Sequence, residues 1–444
     1  MHNSTYVRAA GGVAIALGFG VAVAGGVSCA AASADSTGSS GSSASASHSA
    51  RQASAHPQPA AAKTTVASPT ASAAVAGTAH SRRVVAVSAL PGKASAVPST
   101  GGAPAAPTLL AMATATTAAA TNTLTYTAGP NLSDQITIGI LHVFRAVSNV
   151  IGVDIFAAIG KAIESSSPPF FLKSGLTTQK TTYTSADGTN WVVYEFQTMN
   201  AANQTDKAVI AMHGGGFIDQ PTLLHWMEYT NMARNTGTTV IVPLYPLATT
   251  EAGSANVLIP EMADLVSAQI QQYGAQNVSI YGDSAGSTIA MATMRQMILD
   301  HKTLPSSMVL LGLAPDFSSS NPDDAKVDDP IFDIHNMSAW DNFGHWTDGI
   351  DDLQHSILSP LFYDSDILAA LPPTTVYMGT NEVTYPDALL LYQKAVQDDS
   401  PISVVVGTGL VHDWPLADTY SQAAVVRPDI YRELGLIAND TTSA

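Results

Sequence analysis

The 444-residue chain has a single cysteine, Cys29, and that residue lies in its apolar N-terminal stretch. A lone thiol excludes an intrachain disulfide and a thiolate zinc site, and export with cleavage beyond it leaves no cysteine nucleophile either. Aromatic residues are missing over residues 31–121, which are mostly Ala, Ser, Thr, Pro and Gly. Such a stretch cannot bury enough apolar surface to offset its ordering entropy, so residues 35–123 read as a disordered tether. Cations are scarce as well: 18 Lys and Arg face 35 Asp and Glu. Arg8, Arg51, Lys63, Arg82, Arg83 and Lys93 precede residue 126, where Asp35 is the only acid, so the remainder carries 12 cations against 34 acids. A body this acidic argues against nucleic acid as a partner and against electrostatic docking on anionic lipid.

The longest apolar run, residues 9–27, follows Arg8 and precedes Ala32-Ser33-Ala34, an A-x-A cleavage pattern. Residues 1–34 therefore read as a signal peptide, which implies a secreted or cell-envelope-associated protein. The run is rich in glycine and poor in the Leu and Phe of a permanent span, which favours cleavage over anchoring. Lipid attachment at Cys29 is the alternative, although Gly26 stands where such sites place a branched aliphatic residue.

Beyond the tether, residues 136–163 are apolar with helical spacing: Ile136, Ile140, Phe144, Val147 and Ile151 fall three or four apart. His142, Arg145, Asp154 and Lys161 interrupt the run and argue against a bilayer span, so residues 124–180 read as a helical cap segment, with a membrane-surface or partner-binding face as the alternative for residues 136–163. Residues 181–185 and 191–197, joined across Asp187-Gly188, give a hairpin signal. Short aliphatic runs follow at 208–212, 238–243, 278–281, 308–313, 374–378 and 402–406, with helical patterns between them, as at 260–273 and 287–300. Runs of this kind are strands buried on both faces, and their alternation with helices implies a mostly parallel sheet with helices on both sides. Residues 317–371 form one overlong connection. It carries Asp323, Asp324, Asp328 and Asp329 and the aromatics Phe332, Trp340, Phe343 and Trp346, and reads as a helical insertion walling the site. Its acids lack the spacing of a calcium loop.

Gly282-Asp283-Ser284-Ala285-Gly286 is a G-x-S-x-G motif between the strand at 278–281 and the helix at 287–300. A sharp strand-to-helix turn lifts a serine above the sheet, and its neighbours must be small because other backbone comes close. His213-Gly214-Gly215-Gly216-Phe217 follows the strand at 208–212. Glycines there let main-chain N–H groups turn toward a developing oxyanion, with His213 as a loop-fixing residue. No Lys-Ser or Lys-Thr follows, which excludes a nucleotide P-loop. A serine hydroxyl needs a base. Of the five histidines after Ser284, only His412 lies just past the last strand, at the sheet edge where Ser284 should stand; His301, His335, His345 and His355 do not. The acid that orients His412 should follow the strand at 374–378. Glu382 is nearest the strand end, and Asp387 is the competitor or a supporting residue. The order serine, acid, histidine is that of the α/β-hydrolases.

Taken together, His213-Gly214-Gly215-Gly216, Gly282-Asp283-Ser284-Ala285-Gly286, Glu382 after Gly379, and His412 resemble the hormone-sensitive-lipase family of α/β-hydrolases over roughly residues 181–436. The family's acid is usually Asp in a D-P-L context, whereas Glu382-Val383-Thr384 stands here. Residues 243–248 match the family's Y-R-L-A-P-E only loosely. The resemblance implies an α/β-hydrolase domain at 181–444, capped by the N-terminal helices and the 317–371 insertion. It also implies an oxyanion hole from Gly214, Gly215 and Ala285, with Asp283 in support. The expected chemistry is hydrolysis of a small-molecule or lipid carboxylic ester through an acyl-enzyme, preferring short to medium acyl chains, with no metal or other cofactor. A true lipase, or an amidase or deacetylase using the same serine, is the enzymatic alternative. A binding protein on the same fold is excluded only by the presence of all three site residues. An envelope-tethered interaction protein, and peripheral contact with the envelope, remain compatible with catalysis.

Overall fold

The computed structural model describes residues 122–438 except Asp187 and residues 333–342. The signal peptide with Cys29, nearly all of the tether, the turn residue Asp187, His335 and Trp340 therefore lie outside the described residues.

Nine strands form one sheet. They are β1 (Leu124–Tyr126), β2 (Leu176–Thr184), β3 (Asn190–Thr198), β4 (Ala208–Met212), β5 (Thr239–Leu244), β6 (Val278–Asp283), β7 (Ser307–Leu311), β8 (Thr374–Gly379) and β9 (Ile402–Gly407), in the order β1-β9-β8-β7-β6-β4-β5-β3-β2. All pairs are parallel except β2–β3 and β3–β5, where the hairpin adds on antiparallel. The helices are α1 (Leu132–Ile151), α2 (Ile155–Ile163), α3 (Leu223–Thr236), α4 (Ala255–Tyr273), α5 (Ala285–Leu299), α6 (Ser365–Ala369), α7 (Tyr385–Gln397) and α8 (Ser421–Glu433).

All five residues of β4 are buried, and successive residues alternate between two cores. Ala208, Ile210 and Met212 pack with Leu258, Met262 and Ile289, from α4 and α5. Val209 and Ala211 face the opposite layer with Trp226, Tyr229, Val426 and Ile430, from α3 and α8. The period of two thus serves both layers, which is why these strands are continuously apolar.

Two expectations are corrected. Residues 124–126 are an edge strand parallel to β9, not part of a helical cap. Among its described residues the insertion holds only short turns of 3₁₀ helix and α6, not the helices expected. Its composition gives the reason, because side-chain oxygens capture the backbone there. The Asp316 carboxylate accepts from the backbone N–H groups of Ser318 at 2.7 Å and Ser320 at 3.1 Å, and from both hydroxyls at 2.6 Å. Of the two readings of residues 136–163, the surface face fits, since α1 turns its apolar stripe outward. Leu132 is 73% exposed, Val143 59% and Val150 86%, while its buried side carries Asp134 and Ile138. Asp134 completes a capping box with Asn131 and accepts from the Ser421 N–H at 2.9 Å, which fastens α1 to the start of α8. Among the described residues no single helix is long and apolar enough to cross a membrane; α1 and α2 meet that test only as a pair bent by 111°.

Candidate active site

β6 delivers Ser284 directly into α5. Ser284 adopts φ 49°, ψ −120°, a conformation that costs a non-glycine residue energy and persists only when its surroundings impose it. The flanking glycines make the turn sterically feasible: a Cβ on Gly286 would lie 1.9 Å from the Met212 carbonyl oxygen, and one on Gly282 2.9 Å from the Gly286 carbonyl oxygen. The first amides of α5 leave a positive end beside the serine.

His412 lies beyond β9 and Glu382 beyond β8, adjacent strands in parallel register that bring the two loops together. His412 Nδ1 is 2.6 Å from Glu382 Oε1. The Glu382 carboxylate is fully buried and also accepts from the Gly379 N–H at 3.1 Å and the Thr384 hydroxyl at 3.2 Å, so its orientation is fixed by its own turn. Burial alone would lower the His412 pKa. The negative charges of Asp413 and Glu382 outweigh that effect and raise it well above the ordinary imidazole value. The ring nitrogens of His412 pair with Glu382 and Asp413, not with Asp387, which accepts from the Asn321 amide at 3.0 Å. Burial, followed by the charge of Asp316, raises its pKa to about 6 despite that hydrogen bond.

The glycine loop after β4 meets the serine turn through Asp283. Asp283 Oδ2 accepts from the Gly214 N–H at 2.9 Å and lies 2.7 Å from His225 Nε2. His225 Nδ1 accepts from the Thr222 N–H at 2.8 Å, which assigns the ring proton to Nε2, facing Asp283. His213 stacks on Tyr245 with ring centres 4.3 Å apart and bonds the Gly214 carbonyl at 2.7 Å, as a loop-fixing residue does. Burial lowers its pKa to about 3, so it is neutral. The expectation for Gly214 is corrected here, since its amide is already spent on Asp283. The amides of Gly215, Gly216 and Ala285 have no acceptor among the described residues, and Gly216 and Ala285 line the cavity beside Ser284. Asp283→Ala should strand a buried histidine and free the loop. Because breaking a buried pair leaves one partner uncompensated, we expect a loss of about 3 kcal/mol, read from the urea midpoint.

Ser284, His412 and Glu382 open into one cavity of ≈ 130 Å³, walled by Phe217, Phe317, Phe332, Phe343, Ala314 and Val383. Phe332 sets its edge against His412, with ring centres 4.9 Å apart. The buried Asp329 carboxylate positions that ring: it accepts from the Phe332 N–H at 3.0 Å and from the Val383 N–H, beside Glu382, at 2.9 Å. The insertion therefore does wall the cavity, but no residue of α1 or α2 lines it. A larger polar groove of ≈ 560 Å³ by β2 and β3 contains none of these residues. Among the described residues no group of three His, Cys, Asp or Glu could hold a metal ion. His225 and Asp413 were not singled out in the sequence, and Asp329 stood there only as part of an acidic run; no local pattern marks the role of any of the three.

A serine on a strand-to-helix turn, a buried histidine–carboxylate pair and free amides around one apolar cavity define a serine-hydrolase type of site on an α/β-hydrolase sheet. Comparison with known proteins agrees on the fold. Residues 209–416 match the family described as alpha/beta hydrolase fold. The chain is 36% identical over 274 residues to a protein of Mycobacterium tuberculosis named triacylglycerol lipase; the match covers 61% of this chain and 55% of that one. It is 25% identical over 254 residues to an esterase of Acinetobacter venetianus, covering 55% and 78% of the two chains. The solved structure of a hormone-sensitive lipase from a metagenome library superposes with a TM-score of 0.57 at 17% identity, covering 70% of this chain and all of the other. The chain therefore has the α/β-hydrolase fold and is similar in sequence to proteins named as lipases and esterases, spanning about half the length of the first of them.

Proposed function

We propose that this protein hydrolyses carboxylic esters of short to medium acyl chain by an acyl-enzyme mechanism. Ser284 attacks the carbonyl carbon while His412 takes its proton at Nε2, and Glu382 orients and stabilises the imidazolium from Nδ1. The amides of Gly215, Gly216 and Ala285 receive the oxyanion. His412 then protonates the leaving alkoxide and activates the water that releases the acid. The observation that carries this reading is the 2.6 Å His412–Glu382 pair opening into the same apolar cavity as the strained Ser284.

Cavity size supports short esters. At ≈ 130 Å³ the cavity is well below the ~300–1,000 Å³ of sites that enclose drug-sized ligands. Each buried methylene is worth about 0.8 kcal/mol, so kcat/KM should rise about fourfold per carbon over the first few carbons of a nitrophenyl ester series and then drop. A flat profile, or long triglycerides hydrolysed best with strong activation at an oil–water interface, would point to a lipase instead. Because α1 and α2 do not line the cavity, we expect this preference to respond to Phe317 and Phe343 and not to substitutions in residues 136–163. The outward apolar stripe of α1 supports peripheral contact with the cell envelope, in keeping with the export signal read at residues 1–34.

A further inference from the structure

His412 faces a carboxylate at both ring nitrogens. Glu382 Oε1 lies 2.6 Å from Nδ1, and Asp413 Oδ2 lies 3.2 Å from Nε2. The second contact is within ion-pair range without being an aligned hydrogen bond, and Nε2 has no hydrogen-bond partner among the described residues, Ser284 included. Asp413 is held there at a cost. Its backbone is left-handed, φ 52° and ψ 28°, and its Oδ1 is buried with no hydrogen-bond partner. The neighbouring position must be glycine: a Cβ on Gly312 would fall 2.4 Å from Asp413 Oδ1 and 2.5 Å from His412 Cε1. A strained residue, an unsatisfied oxygen and an obligatory glycine thus combine to keep a charge beside the one nitrogen that must receive the serine proton.

On the reading of Ser284 and His412 as nucleophile and base, we infer that Asp413 is a second positioning carboxylate of His412, stabilising the imidazolium from the Nε2 side and competing with Ser284 for that nitrogen. The Asp413 charge is also felt by His225, Tyr229 and Tyr281, and the other ionisable groups around the pair are acids. Glu382 comes from the loop after β8. Asp329 comes from the insertion; burial raises its pKa to about 6 while the His412 charge pulls it down. Asp283, at the end of β6, feels the Asp413 charge. Asp413 has two opposed effects. In the free protein it retains the proton on His412, which blocks acceptance of the serine proton at lower pH. Where His412 is neutral, the same charge stabilises the imidazolium that forms as Ser284 attacks.

The test uses the full chain as wild type, Asp413→Asn and Asp413→Gly, since Asn and Gly both suit a left-handed backbone. The His412 midpoint is read by NMR of ¹⁵N-histidine, and kcat/KM on p-nitrophenyl butyrate is followed from about pH 5 to about pH 10. Both variants should lower the NMR midpoint and the acid limb by about one unit or more, while the alkaline plateau falls about three- to tenfold, so the profiles cross. An unmoved NMR midpoint in both variants, or an equal loss at every pH, would overturn the inference. The NMR midpoint decides on Asp413 independently of turnover, whereas absence of hydrolysis by the wild type would count against the esterase reading.

Discussion

Replacing Ser284 by Ala should leave the fold in place and reduce kcat by on the order of 10⁴ or more. The substitution removes one oxygen and keeps the Cβ, so the φ 49°, ψ −120° turn is no more strained than before. Neither the Asp283 clasp on Gly214 nor the His412–Glu382 pair passes through the serine hydroxyl. Thermal unfolding should therefore change little, within about 0.5 kcal/mol. What is lost is the only group on the elbow that can form the acyl-enzyme; residual catalysis from the free amides and the cavity remains. A fluorophosphonate should label Ser284 in the wild type, found by peptide mass, and no other serine. Turnover by Ser284→Ala within about tenfold of wild type would end the serine-hydrolase reading.

The sheet was legible because β4, β5 and β7 are buried, mostly apolar runs. The serine turn was legible because five residues, a preceding strand and a following helix all agree. Choosing Glu382 over Asp387 also followed from position, since only the first residues after a parallel strand reach the sheet edge. The rest depended on meetings that no local pattern records. Asp283 stands inside the recognised motif, yet nothing in the sequence shows that it consumes the Gly214 amide and so shifts the free amides to Gly215 and Gly216. Asp413 directly follows His412 and was passed over, because its placement depends on a left-handed backbone and on Gly312 just past the end of β7. The periodicity of α1 shows an apolar stripe but not its direction, so a cap helix and a surface face both fitted the sequence. In the insertion, apolar and aromatic residues suggested helices, whereas Asp316 and its serines fix a turn-rich chain by side-chain to backbone bonds.

Glu382→Gln should lower kcat by roughly 10²–10⁴, far more than Asp387→Asn. Glutamine keeps the size of the side chain but not the charge, and its amide end cannot hold the His412 Nδ1–H as a carboxylate does. The wrong tautomer then places a proton on Nε2, where Ser284 must donate. Asp387 pairs with Asn321, so its loss should reach the histidine only through the packing of α7. The pH dependence separates charge from geometry. His412 has a raised pKa because Asp413 and Glu382 together favour its protonated form against burial. Removing the Glu382 charge should move the acid limb of kcat/KM to lower pH even as the plateau falls. Linkage fixes the sign for stability as well. A histidine whose folded pKa is raised contributes its stabilisation in full below its unfolded pKa, about 6.5, and loses it as pH rises through the folded pKa. Glu382→Gln should therefore destabilise the fold more at about pH 6 than at alkaline pH, as urea midpoints at the two conditions would show. A larger loss of kcat in Asp387→Asn, with the acid limb moving in that variant and not in Glu382→Gln, would transfer the role of the acid to Asp387.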